Sequence, residues 1–345
     1  MRHNSGRLLA ALLVVIVLVG ECTYAGRGDK AGTSAAPELL IPVGGRDLAL
    51  GGASLAISSG VEAIYWNPAG LSRSKYTTEA MFSHMNYIAD IGVEYLAVGT
   101  AIEGFGHIGL SLKALSFGDI EITTEDEPDG TGATLSPTYV TLGLTYSRLL
   151  TDRISVGITT NLVSERIDRV TATGVAFSAG IQYQNFGNLP GLSIGVAVKN
   201  IGPAMKFDGP GLLREATATA LSRPASFYKV EAASDELPSV IEFGVAYQYK
   251  LQEENVFTTS ALFQNNNLSD DEYKLGLEYG YNNTFFLRGG YNISQESIQD
   301  SYIFGPTLGA GVHYPVGGID VSFDYGYRYV KYLDANHVFS VLLGF

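Results

Sequence analysis

Histidines, serines and carboxylates are the residues of this chain with the means to do chemistry. Beyond the N-terminal leader the histidines are His84, His107, His313 and His337. Ser83-His84, and His337 with Ser340, have the residue types of a nucleophile and its general base. No Gly-x-Ser-x-Gly elbow, His-Glu-x-x-His helix or paired-carboxylate motif frames them. They read as lumen or rim histidines with ordinary hydrogen bonds, and no catalytic residue is expected. Glu121, Glu125, Asp126, Glu127 and Asp129 form an acidic loop. Its order does not match the Asp-x-Asp-x-Asp-Gly calcium loop, so it reads as a solvated loop, with no metal and no cofactor expected. The Gly-rich stretch near residue 50 lacks the Gly-Lys-Ser/Thr of a phosphate loop. The one cysteine, Cys22, follows Glu21, where a lipidation signal wants a small residue. It is expected to leave with the leader, removing disulfides and thiolate metal sites from the mature chain.

Little chemistry of its own is therefore on offer, and attention shifts to the elements that would hold these residues. The 345 residues suffice for one large all-β domain or two ordinary ones. Charged residues make up 17%, against about 25% in typical soluble domains. Gly 41 and Tyr 21 suit twisted strands with aromatic rims better than helices. A formal charge of −13 argues against nucleic acid as a partner, because phosphate binding needs a basic face.

Arg2 and Arg7 precede the apolar run Leu8–Val19, and Thr23-Tyr24-Ala25 offers a cleavage site. Residues 1–25 read as a secretory signal peptide, removed after Ala25. Residues 26–75 then hold a loose Gly/Ser-rich lead and a compact block, and 76–345 the main domain.

The compact block, Gly44 to Ser74, is rich in small residues, carries the only Trp (Trp66), and lacks the alternation seen after Lys75. Gly44-Gly45 and Gly51-Gly52 permit backbone angles and close approaches that a Cβ would forbid. Short helical turns are expected between Ser54 and Trp66. Asn67-Pro68-Ala69-Gly70 restarts the chain, with Asn67 capping the turn that Pro68 begins.

From Tyr76 onward the period is two, the strand signal. Fourteen strands are expected, the first over 76–86, the sixth over 173–185 and the last over 337–345. In Ile319-Val321-Phe323-Tyr325-Tyr327 every second residue is apolar, and Asp320, Ser322, Asp324, Gly326 and Arg328 lie between. Alternation alone fits a soluble sandwich or a membrane barrel, and three further features favour the barrel. Tyrosines gather at strand ends (Tyr247/Tyr249, Tyr279/Tyr281, Tyr325/Tyr327/Tyr329), as in interfacial girdles. Long connections (118–137, 202–239, 293–302) fall among the odd-numbered ones, while the even-numbered ones are short, which is the outer-membrane pattern. The chain ends inside a strand with Phe339, Val341, Leu343 and Phe345 on one face, resembling the signal that hands barrels to the outer-membrane insertion machinery. The expected fold is thus all-β: a transmembrane antiparallel β-barrel of about 14 strands in the bacterial outer membrane, both termini periplasmic.

GGASLAIS…VEAIYWNPAGL resembles the N-terminal element shared by FadL-type long-chain fatty acid channels and the PorV/PorQ family, with Asn67, Pro68 and Ala69 at the Asn-Pro-Ala positions. The stretch from Asn200 to Phe207 resembles a mid-barrel segment of PorV-like chains. A mature length of about 320 residues, shorter than FadL-type channels usually are, favours PorV/PorQ. The resemblance implies a barrel with the N-terminal block folded into the lumen as a plug. Its plug or gate residues would be Gly44, Gly45, Gly51, Gly52, Trp66, Asn67, Pro68 and Ala69. It also implies a role in type IX-like protein secretion, with secreted cargo or secretion-system proteins as partners, besides outer-membrane lipid and the insertion machinery. The alternative is a FadL-like channel whose ligand is a hydrophobic small molecule such as a long-chain fatty acid. The insertion 208–237 departs from the family, and its part 212–221 is expected to form a short surface helix.

Overall fold

The computed structural model describes residues 32–216, 226–252, 254–294 and 302–345. The expected leader and its cleavage site lie outside the described residues. Fourteen strands close into one antiparallel barrel: β1 Thr78–Asn86, β2 Gly92–Ile102, β3 Gly106–Ser116, β4 Thr138–Leu149, β5 Ile154–Ile167, β6 Val170–Gln184, β7 Leu192–Ile201, β8 Val240–Lys250, β9 Asn255–Asn266, β10 Glu272–Tyr281, β11 Phe285–Ser294, β12 Phe304–Val316, β13 Ile319–Val330 and β14 Asn336–Gly344. Each strand pairs with its neighbours in sequence, and β1 closes on β14, from Glu79 opposite Gly344 to Asn86 opposite His337. Closure leaves no strand edge unpaired, the condition for placing a sheet in hydrocarbon.

The period of two sorts side chains between two environments. Outward positions carry large apolar residues, Leu110 at 60% exposure and Leu308 at 61%, whereas inward positions bury Glu242 at 3% and Arg288 at 6%. A water-soluble fold distributes these types the other way round. Leucine outside and charge inside is the arrangement of a barrel whose outer wall meets lipid. Aromatic pairs such as Phe257–Tyr279, with ring centroids 4.8 Å apart, stand near the strand ends.

Six short turns, such as 103–105 and 317–318, gather at one end of the barrel. The other end carries the long connections 117–137 and 202–239, besides tighter ones. The 202–239 connection folds back on itself: Leu213–Ala216 pairs with Ser226–Lys229, and Met205-Lys206 with Ser234-Asp235. The helix expected over 212–221 is corrected accordingly. Its first part closes a hairpin, in which cross-strand hydrogen bonds replace those of a helix, and 217–221 lies outside the described residues. Met205 and Leu237 pack on Ala35, Ala36 and Leu39, so this loop presses on the beginning of the N-terminal block.

Candidate functional site

Residues 37–73 form short helical pieces: 3-10 turns at Pro37–Leu40, Gly60–Glu62 and Pro68–Arg73, and single α-turns at Gly45–Ala49 and Ala63–Trp66. No piece is long enough to be stable alone, so tertiary contacts must hold them. These contacts run round the whole ring. Gly60–Glu62 packs on β1 and β2, Pro68–Arg73 on β3 to β6, and Gly45–Ala49 on β11 to β14. Leu55 lies against Gly195 of β7 and Gly244 of β8, and Leu50 against Gly276 of β10. Leu55 and Ala53 share an apolar cluster with Leu262 of β9. A segment that touches every strand of a closed ring runs through its interior.

The segment enters at the long-loop end, where Ala35 N donates to Glu236 O at 3.0 Å. It leaves at the short-turn end, where Arg73 Nη2 donates to Arg153 O at 2.6 Å and Nε to Ser155 Oγ at 2.8 Å. Phe345 lies at this same end, its carbonyl accepting from Thr77 N at 3.0 Å. The first described residues and the last therefore sit at opposite ends of the barrel. Both termini on one face, as expected from the loop lengths, is not what these described residues show.

The glycines singled out in the sequence have specific surroundings. Gly44, Gly51 and Gly52 have φ of 82°, 66° and 78°, a region costly for any residue with a Cβ. Gly45 is a close approach instead: a Cβ there would stand 2.8 Å from Asp324 O of the wall. Trp66 Nε1 donates to Val43 O at 3.1 Å, and its ring packs on Gly52. Asn67 is fully buried. Its Oδ1 accepts from Ala69 N at 3.2 Å, and its Nδ2 donates to Leu55 O at 2.9 Å and Ile181 O at 3.2 Å. Pro68 and Ala69 lie on Gly157, where a Cβ would come within 2.3 Å of Pro68. Phe339, Val341, Leu343 and Phe345 belong to β14 and the residue after it, with Phe339 and Phe345 exposed.

Sequence reasoning missed the buried charges. Arg46 reaches Glu62 at 3.2 Å and Glu278 of β10 at 3.5 Å, and Arg288 of β11 bridges Glu278 at 2.6 Å and Asp324 of β13 at 2.5 Å. Burial on its own weakens the hold of Arg46 on its proton, but Glu278, Glu62, Asp47 and Asp324 outweigh it and keep the guanidinium protonated well above its ordinary range. Ser58 Oγ donates to Asp47 Oδ2 at 3.1 Å, tying two parts of the segment together. Nearer the long loops, Lys113 donates to the carbonyls of Glu38 at 3.1 Å and Ile41 at 2.7 Å. The Glu38 side chain is buried beside Glu165. Burial, and then the neighbouring carboxyl, push its pKa up to about 8, so it is protonated at neutral pH. The available signal was polar residues at inward positions of otherwise apolar strands.

His84 and His337 are kept apart from Ser83 and Ser340. Ser83 and Ser340 point inward and accept from Gly44 N at 3.3 Å and Gly45 N at 3.0 Å. His84 bonds Glu94 at 2.5 Å, and His337 bonds the Tyr325 hydroxyl at 2.8 Å, both on the other side of the wall. Adjacent strand residues face opposite ways, so Ser83 and His84 cannot pair. Among the described residues, no three His, Cys, Asp or Glu converge as a metal site.

Above the segment, at the long-loop end, lies a cavity of about 290 Å³. Its lining combines charged and amide groups (Lys199, Glu242, Gln264, Asn266, Glu272, Lys274, Arg328) with Tyr65, Trp66, Tyr87 and Phe304.

A closed fourteen-stranded ring with leucines outward, charges inward and loops sorted by length is an outer-membrane β-barrel. The family described as Type IX secretion system protein PorV matches residues 25–245, and the chain belongs to that family. Among solved structures it is similar to the Ralstonia pickettii toluene transporter TbuX, with 14% identity and a TM-score of 0.57 over 88% of this chain and 98% of that one. It is similar also to the CymD monoaromatic hydrocarbon channel (14% identity, TM-score 0.56, 89% and 98%). The Pseudomonas putida toluene transporter TodX aligns over 86% and 96%, with 13% identity and a TM-score of 0.55. At such identities the likeness is one of fold. No curated protein matches the sequence.

Proposed function

We propose that this chain serves type IX-like secretion by recognition, with cargo or partner proteins docking on its long-loop face while residues 37–73 act as a fixed plug. In this reading the leader is cleaved after Ala25, the short turns and Phe345 face the periplasm, and the long loops face outward. Gly44, Gly45, Gly51, Gly52, Trp66, Asn67, Pro68 and Ala69 seat the plug. Phe339, Val341, Leu343 and Phe345 present the barrel to the insertion machinery.

One observation carries the reading: the interior segment is bonded to charged and polar wall groups around the entire ring. Moving it would strip Arg46, Asp47 and Asn67 of partners in a water-poor interior, which opposes a gate. The hydrocarbon-channel alternative has the fold likeness in its favour. Against it, an apolar ligand in the cavity would desolvate Lys199, Glu242 and Lys274 without returning a hydrogen bond.

The test is deletion of the gene in its native host, with cargo located by fractionation and uptake of decanoate and toluene measured in parallel. Cargo stranded in the periplasm with unchanged uptake is the expected result. Normal cargo export with lost uptake would overturn the reading in favour of the channel.

A further inference from the structure

Among the described residues, two cations buried inside this barrel lack a carboxylate ion pair: Lys113, which the carbonyls of Glu38 and Ile41 satisfy, and Arg328. Lys199 has Glu242 at 2.9 Å, Lys274 has Glu272 at 3.2 Å, and Arg288 has Glu278 and Asp324. Arg328 of β13, only 6% exposed, makes no ion pair with a described carboxylate, and Glu272 acts on it only from beyond ion-pair distance. Its Nε donates to Asn336 Oδ1 at 2.9 Å across the β13–β14 pair. Its guanidinium lies over the Phe304 ring, 3.9 Å from the centroid, with Tyr87 at 5.9 Å. Its Nη2 is shut off from bulk solvent and meets no acceptor, and the same holds for Nδ2 of the neighbouring, fully buried Asn336.

A buried guanidinium without a counter-ion is strongly unfavourable, and two adjacent donors without acceptors add to that cost. The Arg328 deficit is removed by one kind of group: a planar anion that only accepts hydrogen bonds. Stacking on Phe304 occupies a face of the guanidinium and leaves its N–H edge for a carboxylate, the geometry to which the fork is suited. Arg328 lines the cavity at the long-loop end, so such a group has room beside it.

We infer that this cavity binds a ligand carboxylate as the counter-ion of Arg328, the carboxylate being carried on a peptide or similarly polar stem. The stem is assigned from the rest of the lining. Lys199, Glu242, Glu272 and Lys274 share the lining, and an alkyl chain would strip them of water without returning a hydrogen bond. The site does not depend on the secretion role: it stands on the unmatched charge, and it would survive if cargo export proved unaffected by deletion.

Trp66, the only tryptophan, also lines the cavity and supplies the readout. The full-length barrel in an uncharged detergent is titrated with N-acetylglycine, with its amide and with decanoate, following Trp66 fluorescence. The acid should give a saturable change that the uncharged amide does not. Arg328→Gln should weaken acid binding by about tenfold or more, while Arg328→Lys, which keeps the charge but loses the fork, should fall between. Acid and amide binding alike in the wild-type protein would overturn the site even if the variants failed to fold. So would an unchanged affinity in a folded Arg328→Gln barrel. Decanoate binding far more tightly than N-acetylglycine, with the same dependence on Arg328, would overturn the polar stem and assign the site to acyl carboxylates.

Discussion

The interior segment is held in two contrasting ways. Between Arg46 and Glu62 it meets a charged wall, where Glu278, Arg288 and Asp324 from three strands neutralise one another and the segment together. Between Asn67 and Arg73 it meets a neutral wall of glycine, serine and glutamine. Ser147 Oγ donates to Ala69 O at 3.0 Å and accepts from Ser72 N at 3.2 Å, Gln182 lies against Gly70, and Gly157 and Gly180 make room. On the charged side each group's stability depends on its partners remaining. On the neutral side the limiting quantity is space. The first is vulnerable to deletion, the second to filling.

Substitutions test that contrast directly. The largest effect is expected from Arg288→Met, which strands Asp324 as a buried unpaired carboxylate and leaves Glu278 only Arg46 at 3.5 Å. The cost is about 3–5 kcal/mol, read as a lowered unfolding midpoint in detergent. Replacing the charged groups together with apolar residues should cost far less than any single removal. If the single change proved as mild as the joint one, the charged wall would not be the interdependent unit described. Next comes Gly157→Leu, which drives a side chain into Pro68 and Ala69. Overpacking of this kind costs about 1–3 kcal/mol, and a new protease-sensitive site near residue 74 is expected while the barrel itself persists. Asn67→Ala removes two donated bonds at about 0.5–1.5 kcal/mol each. Its loss should be smaller than that of Arg288→Met, and an equal loss would erase the distinction between the two walls.

A separate effect is on pH dependence. Glu38 keeps its proton up to about 8 when folded, against 4.5 for the free side chain. The folded chain then binds more protons than the unfolded one between those values, so stability falls as pH rises through that window and levels off above it. Glu38→Gln should flatten its share of the slope in a series of melting curves, and an unchanged slope would remove Glu38 from the account.

The strands were legible because lipid on one side and a polar lumen on the other impose alternation at every residue. β1 ends at Asn86 as read from the sequence, and β14 falls within one residue of its expected bounds at each end. The start of β6 at Val170 was read three residues late, because Asp168 takes a φ of 50° and lets the chain reverse within two residues. A tight turn of charged residues looks like a longer loop. In the N-terminal block, the Asn67–Pro68 restart was visible because its hydrogen bonds are local. The Arg46–Glu278 and Arg288–Asp324 contacts were not, because their partners are far apart in the chain and only ring closure brings them together. The inward glycines Gly157, Gly180, Gly195 and Gly244 are ordinary strand residues in sequence and become informative only when something lies against them.

The contact of every strand with residues 37–73 has a consequence for biogenesis. The seam between the first strand and the last involves the C-terminal residues, and those residues arrive after all the others. A cylinder sealed before its leading thread was laid inside would have to draw that thread, charges included, through a finished bore from the Arg73 side to the Ala35 side. The order of events is therefore imposed by geometry. The sheet curls around a filament already in position, and stitching of its two margins is the concluding step.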